Sequence, residues 1–455
     1  MSGAQDRASR GLEAARKSVH LSVGLFALLL RWLSWWQGLA LALAALFFNW
    51  QVLPRITGRA LERDADRARG YPVGILLYPL SVALLILFFR ERLDVVAAAW
   101  ALMAFGDGTA TVAGVFLGGP RLPWNRSKSW SGFAGFLVAG TAAAAILFSW
   151  VAGGHPEIPD PLLPVLVIAA AAALLGAIIE SIPAGVDDNL TVPLLTGGAI
   201  YALTLVDPSA LVSADPPLWR QLLIGAAVNL VVAGAAYVAR TVRPSGAVVG
   251  HLIGTAIYAF AGWRGYLILV AFFVLASGST KVGYARKAAR RIAQEEGGRR
   301  GARHAIANCG VAVALAFLAA GTPHTTAMLI AFTASLATAV FDTVSTEIGQ
   351  VYGRHPILIT TLKPVPPGTD GAVSLEGTAA GLAAGAALSV LAWGMGMIPL
   401  AGAAVAVVAS FIGTTVESYL GATVEALKMV DNEAVNFANT LVGALAALAI
   451  WSIVA

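Results

Sequence analysis

The chain has 455 residues, of which 58% are hydrophobic and only 12% charged. Soluble domains carry about 25% charged residues, so this composition excludes an ordinary globular enzyme and points to a polytopic membrane protein. The net charge of +5 does not indicate nucleic acid, because the basic residues lie in short segments between apolar runs, where they set membrane orientation.

The first residues carry Arg7, Arg10, Arg16 and Lys17 without a small-residue cleavage signature, and read as a retained segment rather than a signal peptide. Apolar runs follow at 19–34, 36–53, 71–89, 94–118, 132–151, 162–181, 191–206, 219–240, 246–262, 265–280, 304–321, 325–345, 374–396, 398–420 and 435–454. They predict an all-α polytopic membrane protein with about fifteen transmembrane helices; the pairs at 19–53 and 246–280 could be partly re-entrant. Of 30 Lys and Arg, only Arg31, Arg90, Arg92, Arg220 and Arg264 fall on the side reached after an odd number of spans. The positive-inside rule then makes the N-terminal side cytoplasmic and puts the C-terminus opposite. The expected setting is a bacterial inner membrane or a plastid-like membrane. The segment 207–218, with Asp207-Pro208 and Asp215-Pro216-Pro217, reads as a linker between a membrane domain at 1–206 and a second at 219–455. The longest polar segments are 54–70, whose alternating charges read as a solvated helix, the strongly basic 281–303, and 346–373.

Within this apolar background stands Asp107, and an ionisable group in a span costs about 2.5–3.5 kcal/mol on insertion scales, so its default reading is functional. Gly114 and Gly118 follow it at offsets of seven and eleven, and Gly349 and Gly353 follow Asp342 at the same offsets, which return to one helix face. Such stripes also serve simply to pack helices. Two further echoes strengthen the pattern. Ser129-Trp130-Ser131-Gly132 is matched by Ser374-Leu375-Glu376-Gly377, and Glu180-Ser181 with Asp188-Asn189 by Glu417-Ser418 with Asp431-Asn432. The expectation is two related halves, parallel in the membrane, each with a site opening to the cytoplasm.

Carboxylates and Asn beside Lys and Arg at a membrane boundary suit phosphoryl transfer, in which oxygen ligands hold Mg²⁺ and cations offset charge on the transferring group. In the first half the candidate metal ligands are Asp107, Glu180, Asp187, Asp188 and Asn189, with Arg126 and Lys128 on phosphate. In the second they are Asp342, Glu347, Glu376, Glu417, Asp431 and Asn432, with Lys363, Arg299, Arg300 and Arg303 as cations. An alcohol acceptor must lose a proton as it attacks, so the first half needs a base, Asp107 or Asp188. A monophosphate acceptor needs cations instead. No P-loop, H-E-x-x-H or G-x-S-x-G pattern is present. The single cysteine, Cys309, excludes an internal disulfide, and the six histidines show no metal-ligand spacing.

Several motifs are specific enough to name. Residues 15–206 resemble the CTP-dependent polyprenol kinase family that contains dolichol kinase and phytol kinase, through Arg16-Lys17-x-x-His20, Phe105-Gly106-Asp107-Gly108-Thr109-Ala110, Asn125-x-x-Lys128-Ser129-Trp130-x-Gly132 and Glu180-Ser181-Ile182-Pro183 followed by Asp187-Asp188-Asn189. Ser131 stands where other branches often carry Glu. Residues 240–454 resemble the membrane family that contains plant phytyl-phosphate kinase, through Ser279-Thr280-Lys281, Gly298-Arg299-Arg300, Asn308, Asp342 to Gly349, and Pro367 to Gly377, with Asp370 and Ala372 departing from its usual Thr-Asn-Gly-Gly loop. The resemblance implies two successive kinases in one polypeptide. The first would act on an isoprenoid alcohol such as phytol and the second on its monophosphate, with CTP as donor. It also implies nucleotide or phosphate contacts from Asn125, Ser129, Gly132, Lys281, Arg299, Arg300, Thr369, Gly371 and Ser374. The alternatives are a lipid cytidylyltransferase, which shares CTP, Mg²⁺ and paired carboxylates, and a secondary transporter, whose polar site would lie near the bilayer midplane.

Overall fold

A computed structural model describes residues 20–57, 73–183, 185–427 and 430–455; Arg7, Arg10, Arg16, Lys17 and the charged series from Arg59 to Arg69 lie outside these residues. The chain divides into two compact units, Met1–Val206 and Asp207–Ala455. The stretch read as a linker is folded into the second. Asp207 donates its backbone N–H to the Gly321 carbonyl at 2.7 Å, and its carboxylate caps a short helix through the Ser209 N–H at 2.8 Å.

The first unit contains α1 (His20–Arg31), α2 (Trp35–Ile56), α3 (Gly74–Phe88), α4 (Leu93–Phe116), α5 (Trp130–Ala152), α6 (Val165–Ser181) and α7 (Asp188–Thr204). Its centre is α4. Of its most apolar window 72% is buried, against 6% for α2, and Val95 to Ala101 are buried on every side of the helix. A helix apolar all round belongs among other helices, and small Ala side chains let those neighbours approach. Two prolines interrupt the backbone ladders here. Pro79 cannot donate to the Ile75 carbonyl, and Pro193 cannot donate to that of Asn189. Both carbonyls are served from neighbouring helices, the first by Asn49 Nδ2 at 3.0 Å and the second by the Ser81 hydroxyl. Without water in a bilayer such substitutes are required.

The second unit contains α8 (Pro208–Val212), α9 (Leu218–Val238), α10 (Pro244–Lys281), α11 (Tyr284–Ala289), α12 (Ala302–Gly321), α13 (Thr325–Tyr352), a two-stranded ribbon of β1 (Ile357–Leu358) and β2 (Ala372–Val373), α14 (Leu375–Gly394), α15 (Leu400–Glu425) and α16 (Asn432–Val454). Here α13 is central, with 83% of its apolar window buried, while α9 is peripheral at 11%. Each unit thus places its Asp-bearing helix, α4 or α13, at its core.

Ten described helices are long and apolar enough to cross a membrane. The difference from fifteen runs has a geometric origin. The runs at 19–34, 71–89 and 162–181 form shorter apolar helices. That at 191–206 falls in the 17-residue α7. Those at 246–262 and 265–280 are two helical arms, here numbered together as α10, that meet at Gly262, where φ is 67° and the helical path fails.

Candidate functional site

Within the first unit the polar side chains gather where α4, α6 and α7 meet the loop before α5. Helix α4 passes through a π-turn over Leu102–Gly106 immediately before Asp107, a local irregularity that often marks a functional position. His20 Nε2 lies 2.9 Å from the Met103 carbonyl oxygen in that turn and 3.7 Å from Asp107 Oδ2. The His20 ring stands edge-on to Tyr78, whose hydroxyl accepts from Trp100 Nε1 at 2.8 Å.

The loop 117–129 is closed by its own polar groups. Asn125 Oδ1 accepts from the Ser127 N–H at 3.1 Å, while Asn125 Nδ2 reaches the Ser181 carbonyl at 3.0 Å and Trp124 Nε1 the Ser181 hydroxyl at 3.0 Å. Asn125 therefore positions the loop against the end of α6. This presents Lys128, whose ammonium pairs with Glu180 and lies 3.8 Å from Asp188. Burial works to lower the Lys128 pKa, but Glu180, Asp188 and Asp107 outweigh it and the pKa is raised. Burial pushes Asp188 up to about 7, against the pull of Lys128 and with the repulsion of Asp107, Glu180 and Asp187. Its side chain keeps 38% exposure, so it exchanges protons with solvent. Asp187 caps α7, accepting from the Asn189 N–H at 2.9 Å, and Asn189 Nδ2 points to the Gly74 carbonyl at 3.5 Å. Arg126 is exposed. Ser129 caps α5 by accepting from the Gly132 N–H at 3.2 Å. A Cβ on Gly132 would lie 2.9 Å from the Ala110 carbonyl, so glycine permits α4 and α5 to meet there.

The second unit repeats this local device. Ser374 caps α14 through the Gly377 N–H, again at 3.2 Å, and a Cβ on Gly377 would lie 2.5 Å from the Ser345 carbonyl. Ala110 and Ser345 each stand three residues after their aspartate. The polar set differs. Asp342 and Glu417 are close neighbours, and Glu425 in the π-turn of α15 stands close by. Glu347 is clamped by Lys287, whose ammonium also donates to the Thr280 carbonyl at 2.8 Å and is 1% exposed. Arg300, 7% exposed, has Asp342 and Glu347 among its electrostatic neighbours; burial lowers its pKa against their pull and that of Cys309. Gly371 packs on α15, where a Cβ would meet the Ala422 nitrogen at 2.4 Å, and so holds its loop beside the acids. Asn432 stands beside Glu425.

Other predicted residues are exposed or make their contacts outside this set. Lys363 and Lys281 are exposed. Thr369 bonds within its own loop to the Pro366 carbonyl at 2.8 Å, and Arg299 Nε donates to the Arg240 carbonyl at 3.3 Å. Glu376 faces Arg354 at 3.8 Å. Asp431 caps α16 and pairs with Arg303 at the margin of the cluster. Lys287 and Glu425 are additions that sequence reasoning missed. Lys287 sits in a basic run where nothing in the spacing separates it from Arg286 or Arg290, and Glu425 follows a π-turn that the apolar pattern does not reveal. Among the described residues, no three His, Cys, Asp or Glu side chains form a group that could hold a metal ion.

The profile of the integral membrane protein family DUF92 matches residues 227–444. An uncharacterized membrane protein of Synechocystis is 40% identical over 206 residues, which are 44% of this chain and 80% of that protein. This chain belongs to the DUF92 family of integral membrane proteins. The chloroplastic protein VTE6 of Arabidopsis thaliana is 34% identical to this DUF92 chain over 54% of its length and 75% of its own. A protein of Synechocystis named phytol kinase is 32% identical, over 42% of this chain and 78% of that protein. No solved structure matches.

Proposed function

We propose that the chain is a membrane phosphotransferase with two sites, one phosphorylating an isoprenoid alcohol and the other its monophosphate. The observation that carries this reading is the gathering of Asp107, Glu180 and Asp188 around Lys128, beside the capped N-terminus of α5. Relatives named phytol kinase and farnesol kinase support the reaction class. A helix N-terminus and an ammonium together favour phosphate.

In the first site the alcohol oxygen attacks the terminal phosphorus of a nucleoside triphosphate, CTP on the family resemblance, and the nucleoside diphosphate leaves. The alcohol proton passes to a carboxylate, and Asp188 is poised to take it near neutral pH. Lys128 stabilises negative charge as it shifts toward the leaving oxygen. The donor set suits Mg²⁺, which accepts one or two carboxylates and completes its shell with water and substrate phosphates rather than a protein cage. Asp107 would hold it in the first unit, leaving Asp188 as the base, and Asp342 and Glu417 would hold it in the second; the ion would supply charge neutralisation on the phosphates. In the second site the acceptor is already an anion, and the buried cation Arg300 suits its approach.

Purified protein incubated with phytol or geranylgeraniol, CTP and Mg²⁺ is expected to yield monophosphate and then diphosphate by mass spectrometry. Transfer of a cytidine-labelled group to lipid, or no product with any nucleoside triphosphate, would overturn the proposal.

A further inference from the structure

Beneath Arg300 lies a cavity of about 120 Å³ within the second unit, walled by α9, both arms of α10 and α12. Its lining is almost wholly apolar, with Val232, Ile253, Leu269 and Phe273 typical of it. At one edge stand Arg300, which precedes the N-cap Gly301 of α12, and His304 and Asn308, four apart on one face of that helix. Arg300 Nε and Nη2 are buried with no hydrogen-bond partner among the described residues, and so is the hydroxyl of Tyr266, another lining residue. Buried donors left without a partner cost about 1–3 kcal/mol each. The backbone fixes Arg300 there regardless. The Arg300 N–H donates to the Thr241 carbonyl at 3.1 Å, its carbonyl accepts from the Arg243 N–H at 2.9 Å, and a Cβ on Gly246 would lie 2.2 Å from that carbonyl. The N-terminus of the 20-residue α12 adds backbone N–H groups without a side-chain cap.

We infer that this cavity is the acceptor site of the second unit, taking an apolar chain that ends in a phosphate monoester, with Arg300 on the phosphate. The inference rests on the kinase reading for the identity of that molecule as the prenyl monophosphate. The guanidinium fork matches phosphate oxygens in a bidentate manner, and the apolar walls take the part of the chain next to the phosphate, since about 120 Å³ holds only a portion of a long prenyl group. Asp342 and Glu347, the electrostatic neighbours of Arg300, put the phosphate beside the acids that would face the nucleotide.

Binding is read without nucleotide, by native mass spectrometry of the full chain in detergent, with geranylgeranyl monophosphate, geranylgeraniol, lysophosphatidic acid and inorganic phosphate as probes. Wild type is expected to prefer the prenyl monophosphate over lysophosphatidic acid and over the free alcohol by at least tenfold. Arg300→Gln should remove the preference over the alcohol. Gly250→Leu, whose Cβ meets nothing within 4 Å and whose side chain grows from the cavity wall, should weaken both prenyl ligands while leaving the fold intact. Should Arg300→Gln fail to fold, Arg300→Lys, which keeps the charge but loses the fork, is expected to weaken monophosphate binding alone. Lysophosphatidic acid binding as tightly as the prenyl monophosphate would make this a bilayer-lipid site and overturn the assignment. Unchanged affinity in Gly250→Leu would overturn it too. Turnover with unchanged affinities would sink the site and leave the kinase reading, whereas binding without any phosphoryl transfer would do the reverse.

Discussion

The two units build the same corner and furnish it differently. In each, a serine caps a helix through the N–H three residues on, at 3.2 Å, and a glycine lets that helix touch the backbone three residues beyond an aspartate. In the first unit the cation of the corner, Lys128, keeps 34% exposure and lies between Glu180 and Asp188. In the second, Val373 occupies the place before the capping serine, and the cations are withdrawn: Lys287 clamps Glu347 in the interior and Arg300 sits over an apolar cavity. A shared scaffold therefore carries two electrostatic arrangements. One pairs an accessible acid with a lysine, an arrangement that fits the proposed deprotonation of an alcohol. The other holds a buried guanidinium, which fits the proposed anionic acceptor.

The sharpest way to break this contrast is at the buried pair. Lys287→Met leaves Glu347 charged in the interior and is expected to cost about 3–5 kcal/mol, read as a lower thermal midpoint in detergent. The double variant Lys287→Met with Glu347→Gln should recover much of that loss. Lys128→Met should lower kcat for alcohol phosphorylation by about 10²–10³, the scale of one lost charge-stabilising donor, with little effect on monophosphate phosphorylation. The proton on Asp188 gives a pH test. Below about 7 the carboxyl is protonated and cannot act as base, so kcat/KM for the alcohol should fall about tenfold per pH unit, and Asp188→Asn should abolish that limb as well as most activity. The same shift has a stability sign. The folded pKa lies above the ordinary 3.8, so the contribution of Asp188 is present at acid pH and lost as pH rises through about 7. The smallest effect tests what the units share. Ser129→Ala and Ser374→Ala should each cost about 1 kcal/mol, and unequal losses would mean that the two caps are not equivalent.

Much of this corner was legible in the sequence because it depends on spacing. The offsets from Asp107 to Gly114 and from Asp342 to Gly349 place small residues on one helix face, and the echo of Ser129 to Gly132 in Ser374 to Gly377 marks the same turn in both units. Charge identity was less legible than position. Lys363 was expected at the second site as a cation near its carboxylates, and it lies exposed between β1 and β2. Lys287 enters because α11 folds back from a left-handed Gly283, a turn in backbone direction that no hydropathy pattern records. Helix length was the other limit. Hydropathy marks where apolar residues lie, but the join in α10 and the short α1, α3 and α6 follow from packing.

The division of labour between the units is tested most directly by a crossed assay of the full chain. Asp107→Asn and Asp342→Asn are each measured with geranylgeraniol and with geranylgeranyl monophosphate as acceptor. Asp107→Asn should lose alcohol phosphorylation and retain that of the monophosphate, and Asp342→Asn should show the opposite pattern. Equal loss of both reactions in both variants would contradict two sites with separate acceptors.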